Sequence, residues 1–320
     1  MNLDRFKDLM CGPIVVVFTP FDEKGTSIDE EELRKNVRYM IDNGIQNYSG
    51  VLIAGGSVGD SFVLSLKERK RLFEIVVEEA NGEVPVVCGT NHTSTNIAIE
   101  LSKFAEEIGA DGIMNAPPFY YKTISDKAVY EHYKAISDQI NIGIMLYNNP
   151  AMLDNDLSVD LLLKLSKLKN VLAIKESTPY RIKYKQVVET LGDKIVVING
   201  AGEDTEPDSY RMGTKGFITA YGNFVPGLCV GIHKEALNNN YQKVEQIIKR
   251  FNPLKDIIYR YVNDVGPEQV GRIYKEIAIS LGFKLGGTRL PIIPVPQYYK
   301  EKIKEAVEKN GFLEYVNNTR

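Results

Sequence analysis

The chain is paced by short apolar runs, each followed by an amphipathic stretch. The runs are Ile14-Val-Val-Val-Phe18, Val51-Leu-Ile-Ala54, Val84-Pro-Val-Val-Cys88, Gly112-Ile-Met-Asn115, Ile142-Gly-Ile-Met-Leu-Tyr147, Val171-Leu-Ala-Ile-Lys175, Lys194-Ile-Val-Val-Ile198 and Gly216-Phe-Ile-Thr219. Runs this short, apolar throughout, read as strands buried on both faces. Helical patterns fall between them, near Asp29 to Asp42, Ser94 to Glu107, Asp126 to Ser137, Leu157 to Leu168 and Ile182 to Leu191. Ser65-Leu-Lys-Glu68 is a capping box opening a helix to about Ala80. Strand and helix thus alternate about eight times at a spacing of roughly 25–35 residues, the pattern of a parallel sheet with crossover helices. No GxGxxG follows the first strand and no Walker A motif occurs, so neither nicotinamide nor ATP binding is signalled. Eight units without a dinucleotide fingerprint favour an α/β fold closed as a (β/α)8 TIM barrel over an open sheet.

Beyond about residue 235 the alternation stops. Three helices are expected there, Tyr241 to Val262, Pro267 to Leu281 and Pro296 to Lys309, with Gly286-Gly-Thr-Arg-Leu-Pro-Ile-Ile-Pro-Val-Pro296 as a rigid connector. The expected organisation is a barrel over 1–235 and a C-terminal helical extension over 236–320.

Composition excludes several classes. Hydrophobic residues are 43%, charged residues 25% and the net charge is −3, so there is no basic field for nucleic acid or for a membrane surface. No run reaches the length of a transmembrane helix, and the start, Met-Asn-Leu-Asp-Arg-Phe-Lys-Asp, is too charged for a signal peptide. Cys11, Cys88 and Cys229 form neither a zinc spacing nor a disulfide framework, which points to a reducing cytoplasm. With His92, His132 and His233 the only histidines, no transition-metal site is expected. His92 is expected to cap or pack at a helix start, and His132 and His233 to lie on helix surfaces or interfaces. Cys88 reads as a buried small hydrophobe.

Chemistry belongs at the C-terminal ends of barrel strands. Those ends carry Gly55-Gly-Ser-Val-Gly-Asp60, Phe119-Tyr-Tyr121, Tyr147-Asn-Asn-Pro150, Lys175 and Asn199-Gly-Ala-Gly-Glu203. Lys175 ends a buried strand. Desolvation there is expected to lower its pKa and make the amine a Schiff-base nucleophile, the alternative being a stem along the strand with its head in water. A glycine-rich loop offers N–H groups to a carboxylate, Ser57 can pass a proton, and Tyr147 is placed to donate and accept one. These are the needs of a class I aldolase acting on a 2-oxo acid. Glu176 should point away from Lys175 by strand alternation and enter a structural ion pair. Arg289 is expected to fix the C-terminal helices.

The chain resembles the dihydrodipicolinate synthase / N-acetylneuraminate lyase family. Gly56-Ser-Val-Gly-Asp60 is similar to its GTTGE or GSTGE loop, Pro118-Phe-Tyr-Tyr121 to its PxYY, Tyr147-Asn-Asn-Pro150 to its YNxP, and Ile174-Lys-Glu-Ser177 to its lysine motif. Ala105-Glu-Glu-Ile-Gly-Ala-Asp111 and Gly216-Phe-Ile-Thr219 also match in place, so that the resemblance covers roughly residues 10 to 300. It implies Lys175 as the Schiff-base lysine and Tyr147 as the proton relay. Ser57 would join that relay and, with Gly56 and Val58, hold the carboxylate. Tyr120 would reach into a neighbouring subunit's site, which implies a homotetramer. Gly200 and Ile218 would lie near the imine, and Ser177 and Glu203 near the distal hydroxyls of a substrate. No cofactor is implied beyond the covalent imine.

The departures bear on substrate. Val58 replaces a hydroxyl residue, and Asp60 a Glu, which suggests a structural carboxylate. Met152 stands where dihydrodipicolinate synthases carry an Arg for the second substrate's carboxylate, and a thioether cannot form that bidentate pair. Ala201-Gly-Glu203 departs from the sialic-acid lyases. The expected activity is a lyase, aldolase or dehydratase on pyruvate or a 2-keto-3-deoxy sugar acid. The alternatives are 4-hydroxy-tetrahydrodipicolinate synthase and a silent sugar-acid-binding regulator.

Overall fold

Eight parallel strands close into a barrel in sequence order, β1 (Gly12–Val16), β2 (Val51–Ala54), β3 (Val86–Gly89), β4 (Gly112–Asn115), β5 (Gly143–Asn148), β6 (Val171–Glu176), β7 (Val196–Asn199) and β8 (Gly216–Thr219). This computed structural model describes residues 3–319. Every residue of these strands is buried except Val196 at the start of β7. That is why the sequence shows runs rather than alternation: side chains on one strand face feed the barrel interior, and those on the other meet helices.

The helices are α1 (Leu3–Leu9), α2 (Glu30–Asp42), α3 (Leu66–Ala80), α4 (Thr95–Glu107), α5 (Asp126–Ser137), α6 (Pro150–Leu153), α7 (Val159–Leu165), α8 (Arg181–Leu191), α9 (Asp208–Met212), α10 (Pro226–Leu237), α11 (Tyr241–Lys249), α12 (Asn252–Val265), α13 (Val270–Ser280), α14 (Gln297–Lys309) and α15 (Phe312–Asn317). Their starts follow capping chemistry. Asp29 accepts the Glu32 N–H, Ser125 that of Ala128 and Ser158 that of Leu161. The Ser65/Glu68 capping box forms in full.

The chain forms two compact units. One holds the chain up to Ile14, Gln46–Ile53 and Val84–Ile218. At its base Phe6, fully buried, lies against Gly112 and Gly143, the first residues of β4 and β5; a Cβ on either glycine would overlap the ring. The other unit holds Val15–Ile45, Ala54–Glu83 and the chain from Thr219 onward. In it the Asn223 side chain accepts the Phe18 N–H at 2.9 Å and donates to the Val16 carbonyl at 2.9 Å. Arg289 reaches the carbonyls of Gly25 and Thr26 and pairs with Glu68 at 2.7 Å. It anchors the connector to the loop of Gly25 and Thr26 and to α3.

Three expectations change. Where the sequence suggests three C-terminal helices, five follow Leu237 among the described residues. The first breaks at Arg250-Phe251 because Pro253, in the first turn of α12, has no N–H to continue a helix, and α15 is added after Gly311 at φ +69°. Second, α1 was not anticipated. Third, His132 and His233 are buried rather than on the surface. His132 bonds Asn115 Oδ1 at 2.8 Å and Thr95 Oγ1 at 2.9 Å. Burial pushes both imidazoles down to about 4. His92 is a local cap, its Nδ1 accepting the Ser94 N–H at 2.9 Å. Cys88 is fully buried, as expected.

Candidate active site

Strands β5 and β6 set Tyr147 and Lys175 opposite each other. In their register Tyr147 faces Lys175 and Asn148 faces Glu176. The Lys175 side chain ends with Nζ 4.1 Å from the centroid of the Tyr147 ring, an ammonium–π geometry. Lys175 is 7% exposed and Tyr147 2%. The Tyr147 hydroxyl accepts from Asn149 Nδ2 at 3.3 Å and points its hydrogen at Met152 Sδ, 3.5 Å away. Lysine, tyrosine and methionine therefore stand together in one unit.

Met152 sits in α6, the single turn that Pro150 opens after β5. It is 50% exposed, with its sulfur against the Tyr147 hydroxyl. Tyr120 lies in the loop between β4 and α5 and is 81% exposed, stacked edge-on with Tyr121. Lys122 of that loop pairs with Asp154 just past α6 at 3.3 Å, so the two segments are tied.

The remaining predicted residues of this unit fall into two groups. Ser177 follows β6 and Gly200 follows β7. The Gly200 N–H donates to the Glu176 carbonyl at 2.7 Å, and a Cβ on Gly200 would overlap Ser177 Oγ. Ser177 Oγ is itself buried without a hydrogen-bond partner. Glu203, in the short turn after β7, and Ile218, on β8, are both buried. Gly202 separates Glu203 from β7 at φ +87°, and a Cβ there would stand 3.4 Å from the Ile218 carbonyl.

Gly56, Ser57 and Val58 belong to the other unit, in the loop after β2. Ser57–Gly59 form one 3-10 turn. The N–H groups of Gly59 and Ser61 donate to the Gly56 carbonyl and that of Asp60 to the Ser57 carbonyl. The first N–H groups of the turn, on Ser57 and Val58, have no carbonyl within it to reach, which is the form of a small anion cradle. Asp60 closes the loop at φ +60° and is structural, as its length suggested. It pairs with the ammonium of Lys275 from α13, which also donates to the Thr19 carbonyl at 2.7 Å. Burial lowers the pKa of Lys275, which Asp60 opposes.

Sequence reasoning missed several polar residues. Behind Tyr147 and Lys175, Asn148 Nδ2 donates to Glu176 Oε1 and Oε2 at 2.8 and 3.0 Å and to Asp156 Oδ1 at 2.9 Å. Lys183 of α8 pairs with Asp156. The ion pair expected at Glu176 itself is replaced by these amide bonds and by the Thr178 N–H at 2.7 Å. The reason is burial: fully enclosed, the carboxylate takes fixed amides, while the lysine stays nearer water beside Asp156. Burial pushes the Glu176 carboxyl up to about 7, against the Thr178 and Asn148 hydrogen bonds. The available signal was Asn148 itself, a polar residue on the outward face of a fully buried strand. Among the described residues no cluster suited to a metal ion occurs.

The sequence model of the dihydrodipicolinate synthetase family matches residues 10–310. A Methanosphaera stadtmanae protein named 4-hydroxy-tetrahydrodipicolinate synthase is 30% identical over 308 residues, covering 94% of this chain and 99% of its own. The crystal structure of dihydrodipicolinate synthase from Aquifex aeolicus superposes with a TM-score of 0.85 at 28% identity, over 95% of this chain and 99% of that one. The chloride-inhibited dihydrodipicolinate synthase of Acinetobacter baumannii, complexed with pyruvate, gives 0.85 at 27% identity, over 95% and 99%. With its closed barrel, its lysine seated on a tyrosine and a family match over nearly its whole length, the chain belongs to the dihydrodipicolinate synthetase family and is a class I lyase or aldolase.

Proposed function

We propose that this enzyme forms an imine between Lys175 and the keto carbon of pyruvate or a 2-keto-3-deoxy sugar acid, and makes or breaks a bond beside that carbon. The observation that carries this reading is the buried Lys175 amine 4.1 Å from the Tyr147 ring centroid. The amine adds to the ketone, water leaves, and the protonated imine takes the electron pair released when the neighbouring bond breaks. Tyr147 moves the protons, and Ser57 extends that relay. The Ser57 and Val58 N–H groups, with Gly56 giving the backbone room, hold the substrate carboxylate. Gly200 and Ile218 flank the imine, and Ser177 and Glu203 meet the distal hydroxyls. The imine is its own electron sink, so no further cofactor is called for.

Met152 supports a second substrate, or a distal half, without a carboxylate at that point. Its thioether offers no bidentate partner where an arginine would. The competing reading, 4-hydroxy-tetrahydrodipicolinate synthase, is favoured by the name of the Methanosphaera stadtmanae relative over nearly the full chain. The 81% exposure of Tyr120 supports a role for it in a neighbouring copy's site, and the reading includes a homotetramer. No described helix is long and apolar enough to cross a membrane, and three cysteines outside any disulfide suit a reducing cytoplasm.

The test is borohydride reduction with pyruvate, read by intact mass and peptide mapping. An adduct on Lys175 is expected, followed by turnover of hydroxylated 2-oxo acids in preference to aspartate semialdehyde. No adduct with any 2-oxo acid on folded protein would leave the sugar-acid-binding regulator in place of the enzyme.

A further inference from the structure

The bond between β5 and β6 contains a discontinuity. Ile144 pairs with Val171 but Met145 pairs with Ala173, so β6 carries one extra residue, Leu172. An irregularity of this kind re-aims the side chains beyond it. The ladder before it therefore does not fix the register after it, where the two catalytic residues lie. A slip of one residue there would turn Lys175 to the opposite face from Tyr147.

Beyond the irregularity backbone pairing resumes, and β7 pairs with the same residues of β6; the side chains of the next pair along add to that register. Asn148 and Glu176 face away from Tyr147 and Lys175 and meet on the other side of the sheet. Glu176 is fully buried and Asn148 likewise. One amide spans both carboxylate oxygens, at 2.8 and 3.0 Å, while Asn148 Oδ1 accepts the Leu157 N–H at 3.1 Å. The same network thus reaches the chain that returns from Met152 into α7. We propose that the Glu176–Asn148 pair is the positioning device of the active site, with Glu176 as a positioning residue whose carboxylate keeps the strands in the register that seats Lys175 on Tyr147. This rests on the imine reading given above.

The chemistry of the pair makes it sensitive to protonation. A carboxylate accepts at both oxygens; a carboxylic acid turns one of them into a donor facing an amide that is also a donor. Glu176 titrates at about 7. The groups that face it are Asp156 before α7, Lys183 and Tyr184 on α8, and the neutral Asn148 on β5. Lys183 holds its carboxyl down and Asp156 pushes it up. The charge of Glu206 acts on the Tyr184 phenol as that of Glu176 does.

Glu176→Gln reproduces the donor–donor conflict at every pH. In borohydride trapping with pyruvate, its rate should fall about 10- to 100-fold at alkaline pH. The acid limb that wild type owes to this carboxyl should vanish. Lys183→Met keeps Glu176 and should move that limb upward by about half a pH unit, because an opposite charge is lost. A third readout needs no substrate: reductive methylation with formaldehyde, mapped at Lys175, should run at least about threefold faster in Glu176→Gln as the amine leaves its seat on the ring. Wild-type rate and pH profile in Glu176→Gln, with unchanged methylation, overturn the proposal. If Glu176→Gln does not fold, an unmoved limb in Lys183→Met overturns it. If wild type gives no adduct, the imine reading fails on its own, and the methylation rates alone decide the positioning role.

Discussion

Replacing Lys275 by methionine removes the buried cation that holds the loop of Ser57 in place. Lys275 is 1% exposed and sits between the Asp60 carboxylate and the Thr19 carbonyl. Methionine has nearly the same length, so the change creates little space. What it leaves is a carboxylate, itself 5% exposed, with no cation beside it and with Oδ1 already lacking a hydrogen bond. Breaking a buried pair in this way costs about 3–5 kcal/mol. For a chain of this size each kcal/mol moves the melting temperature by about 2 °C, so a fall of roughly 6–10 °C is expected in scanning calorimetry. Asp60→Asn is the partner change, and φ +60° at this position suits asparagine. The double variant buries one neutral amide beside a thioether instead of an unpaired charge. It should regain about 2 kcal/mol or more of the single variant's loss. Lys134→Met, which breaks the exposed pair with Asp138, is the control and should melt with wild type. A Lys275→Met protein melting within about 1 °C of wild type, or a double variant whose losses simply add, would refute the reasoning.

Stability against pH tests the buried titrating groups. His132 and His233 titrate near 4 in the fold against 6.5 unfolded, so the unfolded chain binds more protons in that window and their contribution is lost as pH falls. Glu176 and Glu206 titrate near 7 against 4.5, so the fold binds more protons and their contribution is lost as pH rises. The four slopes oppose one another; Glu176→Gln removes one, and stability from urea unfolding should then gain about 1.4 kcal/mol per pH unit, relative to wild type, between about pH 5 and 6. Met152→Arg should lower the KM for an aldehyde bearing a carboxylate by about tenfold or more in steady-state assays, and an unchanged KM would move the distal subsite away from α6. Gly200→Ala drives a methyl into Ser177 Oγ and against the Glu176 carbonyl, and should cost about 1–3 kcal/mol with slower imine trapping. Phe6→Ala should cost about 3–5 kcal/mol in chemical denaturation, since the ring is fully buried on Gly112 and Gly143.

The barrel was legible because its strands are buried on both faces and its helices begin with side-chain caps. The run around Lys175 and the segment around Tyr147 named their strands and their ends to within a residue or two. The histidines show what single-residue reading lost. His132 lies with Val129, Tyr133 and Ile136 on the buried stripe of α5, and His233 with Cys229, Ile232 and Ala236 on that of α10. The 3.6-residue period placed both inside, but their polarity was read instead. The network behind the site was hidden for another reason. Asn148, Glu176 and Lys183 come from three elements and Asp156 from a loop, and only the folded sheet and its side-chain bonds join them. Lys275 meets Asp60 from more than two hundred positions away, beyond the reach of any local pattern.

The division of the chain into two interleaved units has a consequence during synthesis. Val15–Ile45 and Ala54–Glu83 leave the ribosome early, yet the rest of their unit begins only at Thr219. All of Val84–Ile218 must be translated in between, which takes on the order of ten seconds at ordinary elongation rates. For that interval Leu33, Val37, Leu72 and Phe73, each fully buried in the finished protein, lack the later half of their unit. The nascent enzyme is thus a natural client for a chaperone that binds apolar helices, and slowing translation within 84–218 should lengthen that exposure.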